Sequence, residues 1–76
     1  MLNIPKGTKL YIPELPTPLV YFCGYHNSEL PSPFNNPLKV ILEVRHDDGQ
    51  KDFYIVEENV IYKNLTKSQK ILFTSF

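Results

Sequence analysis

The sequence predicts a small, mainly β protein, and its composition is the first reason. The chain has 76 residues and contains neither Trp nor Ala. Ile, Val, Tyr, Phe and Thr, which favour strands, occupy positions where a helical protein would carry Ala, Leu, Glu and Lys. All seven prolines lie in the first half of the chain, and proline interrupts both helices and sheet ladders. We therefore expect one all-β domain over residues 1–76, with short strands and long connections in its first half.

Charge and cysteine content narrow the class of protein further. Eight basic residues balance eight acidic ones, which argues against a protein held on nucleic acid mainly by charge. The single cysteine, Cys23, excludes an internal disulfide. No apolar run approaches the roughly 20 residues that cross a bilayer, and the N-terminal residues lack the apolar segment of a secretory signal. These features predict a soluble protein of the cytoplasm.

The first two strands are predicted on either side of a proline-rich loop. Thr8–Ile12 alternates apolar with other residues, as a half-buried strand does. Three prolines within residues 13–18 end this strand. Leu19–Tyr25 is apolar on both faces, so we expect it at the centre of the fold, and Gly24 within it indicates a β-bulge. A long polar and proline-rich loop follows over residues 26–37.

The next two strands are predicted to form a hairpin. Leu38–His46 places four apolar residues on one face and mainly charged residues on the other. Asp47–Gln50 contains an Asp-Gly pair, which suits a tight turn because Gly adopts positive φ without a clash. In the following strand, Lys51–Val56, Phe53 and Ile55 share one face. If that face meets the core, the tyrosine between them faces solvent.

The end of the chain allows two interpretations. A short strand is expected at Val60–Tyr62, and a tail follows over residues 63–76. Thr66 and Gln69 fit a capping box, in which each side chain binds the backbone N–H of the other residue, and this favours a short helix. Lys70–Thr74 would equally fit a closing strand.

This layout resembles an SH3-like small barrel. That fold has five short strands, two long early loops, a tight hairpin between the third and fourth strands, and a helical turn before the fifth strand. The resemblance covers roughly residues 7–62 and is one of spacing. The acidic first loop, the groove Trp and the late Pro of the signalling SH3 family are missing here. The resemblance therefore implies a fold, and it does not imply binding to proline-rich peptides.

Metal-binding and catalytic patterns are sparse. Cys23 and His26 form a C-x-x-H, with His46 and Asp47 as further candidate ligands. A structural zinc site takes four ligands at defined spacing, and an odd separation along a strand places Cys23 and His26 on opposite faces. The glycines are isolated, so no phosphate-binding loop is indicated. We predict no metal, no cofactor and no enzymatic activity.

Tyrosine is the main candidate for a binding role. It is favoured at interfaces because its ring is amphipathic and costs little entropy to fix. Tyr11 alternates with apolar neighbours that face the core, so its own ring is expected to face solvent. We predict a protein-binding module, such as an accessory subunit, an adaptor or a small inhibitor, and an origin in a phage or mobile element fits this profile. The predicted partner-binding residues are four tyrosines and one loop phenylalanine: Tyr11, Tyr25, Tyr54, Tyr62 and Phe34.

The alternative prediction is a small RNA- or DNA-binding barrel. Such a protein places basic side chains beside exposed aromatic rings. Acidic residues are interleaved with the basic ones here, as on an ordinary solvated face. Nucleic-acid binding is therefore the second prediction, after protein binding. Its candidate residues are Lys39, Arg45, Lys51 and Lys63.

Overall fold

A computed structural model describes residues 2–26 and 38–74 of the chain. These residues form four strands followed by two short helices. The strands are β1 (Lys9–Tyr11), β2 (Leu19–Tyr25), β3 (Lys39–Arg45) and β4 (Lys51–Glu57). The helices are α1 (Glu58–Asn64) and α2 (Lys67–Thr74). None of the helices described is long and apolar enough to cross a membrane.

The four strands make one antiparallel sheet in the order β1-β2-β3-β4. The prediction of a mainly β fold is confirmed at this level. The sheet is open, with β1 and β4 at its edges, so closure into a five-stranded barrel is not confirmed. The fifth strand predicted at Val60–Tyr62 is wrong, because these residues lie within α1. A run of three apolar residues fits a short strand. In the structure only Ile61 of the three is fully buried, because only one face of a helix meets the core.

The hydrophobic core lies between one face of the sheet and the two helices. We call this the inner face, and its alternate residues on β2 and β3 are almost completely buried. The helices and the N-terminal segment before β1 supply the rest of the core. Burial of apolar area is the main stabilising term for a chain of this size. The buried side chains are Leu2, Ile4, Leu10, Ile12, Val20, Phe22, Val40, Leu42, Val44, Ile61, Leu65 and Phe73.

The β3–β4 hairpin forms as predicted, with a loop of three residues. The amide of His46 donates to the carbonyl of Gln50 (2.9 Å), and the amide of Gly49 donates to the carbonyl of His46 (3.0 Å). The amide of Gln50 also donates to the carboxylate of Asp48 (2.9 Å). Gly49 has φ +88°, a conformation that only glycine adopts at low cost.

The length of this loop decides which face of β4 meets the core. The fully buried Leu42 pairs with Tyr54, so Tyr54 lies on the inner face and packs against the core. Phe53 and Ile55 are 57% and 54% exposed. The face that carries Phe53 and Ile55 therefore does not meet the core, so the condition under which Tyr54 would face solvent does not hold. A two-residue loop would have shifted the register by one residue and turned every side chain of β4 over.

A β-bulge in β2 reverses the direction of Tyr25. Phe22 pairs with Leu42, whereas Gly24 pairs with Ile41, so Cys23 is an extra residue in the ladder. The bulge predicted from Gly24 is confirmed, and its φ is +137°. Because of the extra residue, Tyr25 faces the core instead of sharing the face of Cys23.

The tail forms a helix, and the capping box is present. The amide of Thr66 donates to the side-chain oxygen of Gln69 (2.9 Å), and the amide of Gln69 donates to the hydroxyl of Thr66 (3.1 Å). This reciprocal pair satisfies two amides at the start of α2. The amide of Asn3 donates to the carbonyl of Phe73 (2.7 Å), so α2 is tied to the N-terminal segment.

Candidate functional site

The face of the sheet opposite the core carries several large apolar side chains that remain exposed. We call it the outer face, and its residues are those that alternate with the buried ones on each strand. Tyr11, Leu19, Phe53 and Ile55 are each more than half exposed, at 56%, 51%, 57% and 54%. Scattered exposed apolar residues are ordinary on a protein surface, but several on one sheet face make that face a candidate interaction surface.

The strand register makes these side chains neighbours. Tyr11 lies directly opposite Leu19 on the adjacent strand. Phe53 and Ile55 are alternate residues of β4, and Ile55 lies opposite Ile41. The partly buried Tyr21 lies between the two groups on β2. The outer face therefore carries two exposed apolar pairs, Tyr11–Leu19 and Phe53–Ile55, with Tyr21 and the charged Glu43 between them.

An ion pair between Glu43 and Arg45 lies at the centre of the outer face. Glu43 is only 9% exposed and its carboxylate accepts from Arg45 Nε at 2.5 Å, whereas the Arg45 side chain is 50% exposed. The Arg45 guanidinium lies 3.8 Å from the centroid of the Tyr21 ring, a cation–π geometry. The hydrogen bond from Arg45 lowers the pKa of Glu43, so the pair stays charged at neutral pH. Docking over this pair would bury no unpartnered charge.

Cys23 contributes a protonated thiol to the same cluster. Its Sγ lies 3.8 Å from Glu43 Oε2 and donates to it. Burial raises the pKa of Cys23, and the negative charge of Glu43 raises it further. A thiol with a raised pKa is a poor nucleophile at neutral pH. This cluster therefore orders side chains on the outer face.

The outer face carries more basic than acidic residues. Lys9, Lys39, Arg45 and Lys51 alternate with buried or inner-face residues on their strands, as do the acidic Glu43 and Glu57. Lys39 lies opposite Glu57, and Lys51 lies opposite Arg45. The predicted basic stripe is therefore only partly assembled. Its fourth member, Lys63, lies on α1 and pairs with Glu14 at 2.9 Å.

The predicted partner-binding tyrosines are distributed over different surfaces. Tyr11 lies on the outer face as expected. Tyr62 is exposed on α1, where the Lys70 ammonium lies 4.9 Å from its ring centroid. Tyr25 and Tyr54 are partly buried against the core, and Phe34 lies outside the described residues.

Sequence reasoning missed Leu19, Phe53 and Ile55 as surface residues. It assigned Leu19 to a strand covered on both faces, and it considered the orientation of β4 in which Phe53 and Ile55 face the core. The face of every residue in β4 depends on the length of the hairpin loop once the core face of β3 is known, and the Asp-Gly pair locates the turn without fixing that length.

Tyr25 has a structural role at the other side of the sheet. Its hydroxyl donates to the Glu58 carboxylate and accepts from the amide of Leu2 at 2.8 Å. Burial, together with the hydrogen bond to Glu58, raises the pKa of Tyr25 to about 12. The hydroxyl joins β2, α1 and the N-terminal segment.

The candidate metal ligands are not brought together. Among the residues that the structure describes, no group of three His, Cys, Asp or Glu side chains is arranged to hold a metal ion. His46 Nε2 lies 2.7 Å from Asp52 Oδ2, and both side chains are exposed beside the hairpin loop. Cys23 contacts Glu43 instead of a histidine.

No family model matches this chain, and comparisons with curated proteins and with solved structures yield no match.

Proposed function

We propose that this chain is a non-enzymatic protein-binding module that docks another protein on its outer face. The observation that carries the proposal is the set of exposed apolar side chains on one sheet face, Tyr11, Leu19, Phe53 and Ile55, each more than half exposed. A partner that covers this face would bury apolar area that the fold itself leaves in water.

The four exposed apolar side chains supply part of the energy that a specific complex needs. Fully burying a large apolar side chain contributes ~1.5–3 kcal/mol. Covering the exposed half of four such side chains therefore contributes roughly 3–6 kcal/mol, before the cost of association is subtracted. The Glu43–Arg45 pair needs no new partner when it is covered, which avoids the penalty of an isolated buried charge.

The proposal includes the role and setting of the module. We place it in the cytoplasm as an accessory subunit, adaptor or small inhibitor, with a phage or mobile element as a fitting source. We also retain the resemblance to SH3-like barrels, which is supported by the helical segment directly after the fourth strand. The empty catalytic and metal patterns of the sequence support the non-enzymatic part.

A capture experiment with matched variants tests the outer face. We would compare the wild type with the double variant Tyr11→Thr/Leu19→Thr, because threonine keeps the strand propensity at both positions. Leu72→Gln on α2 is the control, since Leu72 is 68% exposed on another surface. Each chain is immobilised, and proteins captured from the native host are identified by mass spectrometry.

The proposal predicts that wild type and Leu72→Gln capture the same protein to the same extent. The outer-face variant should capture at least about tenfold less, since the loss of two interface side chains typically exceeds 1.4 kcal/mol. Far-UV circular dichroism confirms that each variant is folded. Equal capture by the folded outer-face variant would refute the placement of the interface.

A second candidate function, binding of single-stranded nucleic acid, is favoured by the basic excess on the outer face. Tyr11 and Phe53 offer exposed rings for base stacking. Arg45 is already paired with Glu43, Lys39 lies opposite Glu57, and the charge of Lys51 acts on Glu43, so acidic residues already balance most of this basic excess.

Fluorescence anisotropy with labelled RNA and DNA oligonucleotides separates the two candidates. Nucleic-acid binding predicts an affinity that falls steeply as salt increases. Absence of binding at physiological salt would eliminate this second candidate.

A further inference from the structure

We propose that two copies of this chain associate through their β4 strands to form a symmetric dimer with one continuous eight-stranded sheet. The inference does not rest on the proposed function, because its hydrogen bonds come from the backbone at the edge of β4, although Phe53 and Ile55 belong to both surfaces. The observation that supports it is that the exposed edges of two antiparallel β4 strands are complementary in hydrogen bonding, apolar contact and charge.

The hydrogen-bonding capacity of this edge follows from the β3–β4 ladder. His46 bonds to Gln50, and the amide of Glu58 donates to the carbonyl of Leu38 (2.8 Å). Alternate residues between these two points therefore bond to β3, namely 52, 54 and 56. The backbone groups of Lys51, Phe53 and Ile55 point away from β3. No other residue of the described part of the chain bonds to them.

The course of the chain after β4 leaves this edge accessible to a second strand. The last turn of α1 meets the loop between β1 and β2, where Asn64 Nδ2 donates to Glu14 at 3.0 Å and Lys63 pairs with the same carboxylate. That loop joins the strands at the far edge of the sheet. Helix α1 therefore runs beneath the sheet and away from the β4 edge.

One antiparallel register pairs the outward groups of β4. With the two-fold axis beside Tyr54, Lys51 lies opposite Glu57 of the second copy and Phe53 lies opposite Ile55. Phe53 and Ile55 direct their backbone groups towards the second copy, so they form hydrogen-bonded pairs. Glu57 is the N-cap of α1 and its carbonyl accepts the first bond of that helix, so the Lys51–Glu57 pair contributes mainly through its charges. The two exposed apolar side chains cover each other on the outer face, and each end of the strand pair gains an ion pair.

Other occupants fit less well than a second copy. A shift of two residues in either direction places Lys51 opposite Ile55, or Glu57 opposite Phe53, and loses both ion pairs. The charges at the two ends of β4 are opposite in sign, which is the pattern that an antiparallel copy of the same strand complements. A partner strand of another protein would need the same pattern by coincidence.

The far edge of the sheet differs from β4 and limits the assembly to two chains. β1 has only three residues, and Pro5 and Pro13 flank it. A short edge strand bounded by prolines resists further pairing, because proline cannot donate to a ladder. The β4–β4 contact is isologous, so it closes on itself.

Sedimentation equilibrium with charge-reversed variants tests the dimer. The wild type should show twice the 8.9 kDa chain mass as concentration rises from micromolar to millimolar. Lys51→Glu and Glu57→Lys each replace two attractive pairs by two repulsive ones, so each should weaken dimerisation about tenfold. An equimolar mixture of the two variants restores both attractive pairs and should regain the wild-type affinity. Lys67→Glu, an equal charge change on α2, is the control.

Three results would overturn the inference. The first is a wild type that stays monomeric at millimolar concentration. The second is that the charge variants dimerise as the wild type does, and the third is that the equimolar mixture of the two variants does not regain the wild-type affinity.

Glu57→Lys also places two lysines opposite each other within the hairpin, since residue 57 pairs with Lys39. Ile55→Lys is a second disruptive variant that avoids this conflict, and it should be folded and monomeric because the side chain is already exposed. The Tyr11→Thr/Leu19→Thr variant should dimerise normally, so failure of either proposal can be recognised separately.

Discussion

Replacing Tyr25 with Phe removes one hydroxyl that joins three parts of the chain. The hydroxyl donates to the Glu58 carboxylate at the start of α1 and accepts from the amide of Leu2. A hydrogen bond to a charged group contributes ~1.5–3 kcal/mol to stability. The site is only partly buried, and the Leu2 amide keeps a 3.3 Å contact with Glu58. We therefore expect Tyr25→Phe to lower the free energy of unfolding by about 1–1.5 kcal/mol at neutral pH.

The same hydroxyl makes stability depend on alkaline pH. The pKa of Tyr25 is raised from 10.0 to about 12 in the folded protein, first by burial and then by Glu58. The folded state therefore holds the phenolic proton more tightly than the unfolded state. The resulting stability is fully present below pH 10 and is lost as pH rises from 10 towards 12. Two pKa units correspond to ~2.7 kcal/mol, which solvent screening at this partly exposed site reduces to ~1 kcal/mol.

Urea unfolding followed by far-UV circular dichroism measures both effects. The difference in unfolding free energy between wild type and Tyr25→Phe should be largest below pH 10 and should shrink by ~1 kcal/mol above it. Lysines titrate in the same range, but they contribute equally to both proteins and cancel in the difference. A difference that stays constant with pH would show that the hydroxyl does not couple protonation to folding.

Three further substitutions probe other local features by the same unfolding measurement. Gly24→Ala should cost about 1–3 kcal/mol, because φ is +137° and no atom lies within 4 Å of the added Cβ, so backbone strain is the whole effect; an unchanged stability would contradict the bulge geometry. Thr66→Ala should cost ~1 kcal/mol through loss of the cap to Gln69, and a neutral effect would argue against the capping box. Glu43→Gln should remove a stabilisation that the wild type holds at neutral pH and loses as pH falls below 4.5, because Arg45 lowers the pKa of Glu43; identical acid profiles would refute that coupling.

The sequence specified the strands well because their signals are local. Alternation defined β1 and β3, and the Asp-Gly pair located the hairpin. The facing of β4 was not specified in the same way, since Phe53 and Tyr54 are both large and apolar enough to pack inward. Only the register imposed by the loop separates them, and one residue of loop length reverses the outcome.

Helix α1 shows a second limit of local reasoning. Val60–Tyr62 is a β-favouring run of three residues. The helix is stabilised by tertiary contacts, because Ile61 is fully buried in the core and Asn64 bonds to Glu14 fifty residues earlier. Packing of this kind overrides intrinsic propensity. The candidate surface could not be predicted for the same two reasons, because the loop length and the tertiary packing decide which residues remain exposed.

The contacts between the N-terminal segment and the two helices affect when the core can form during synthesis. Leu2 and Ile4 are buried, yet their neighbours include Glu58 and Phe73. During synthesis these two side chains stay exposed until α2 has also been made. Truncation before α2 removes Phe73 from the core and breaks the bond that ties the N-terminal segment to that helix.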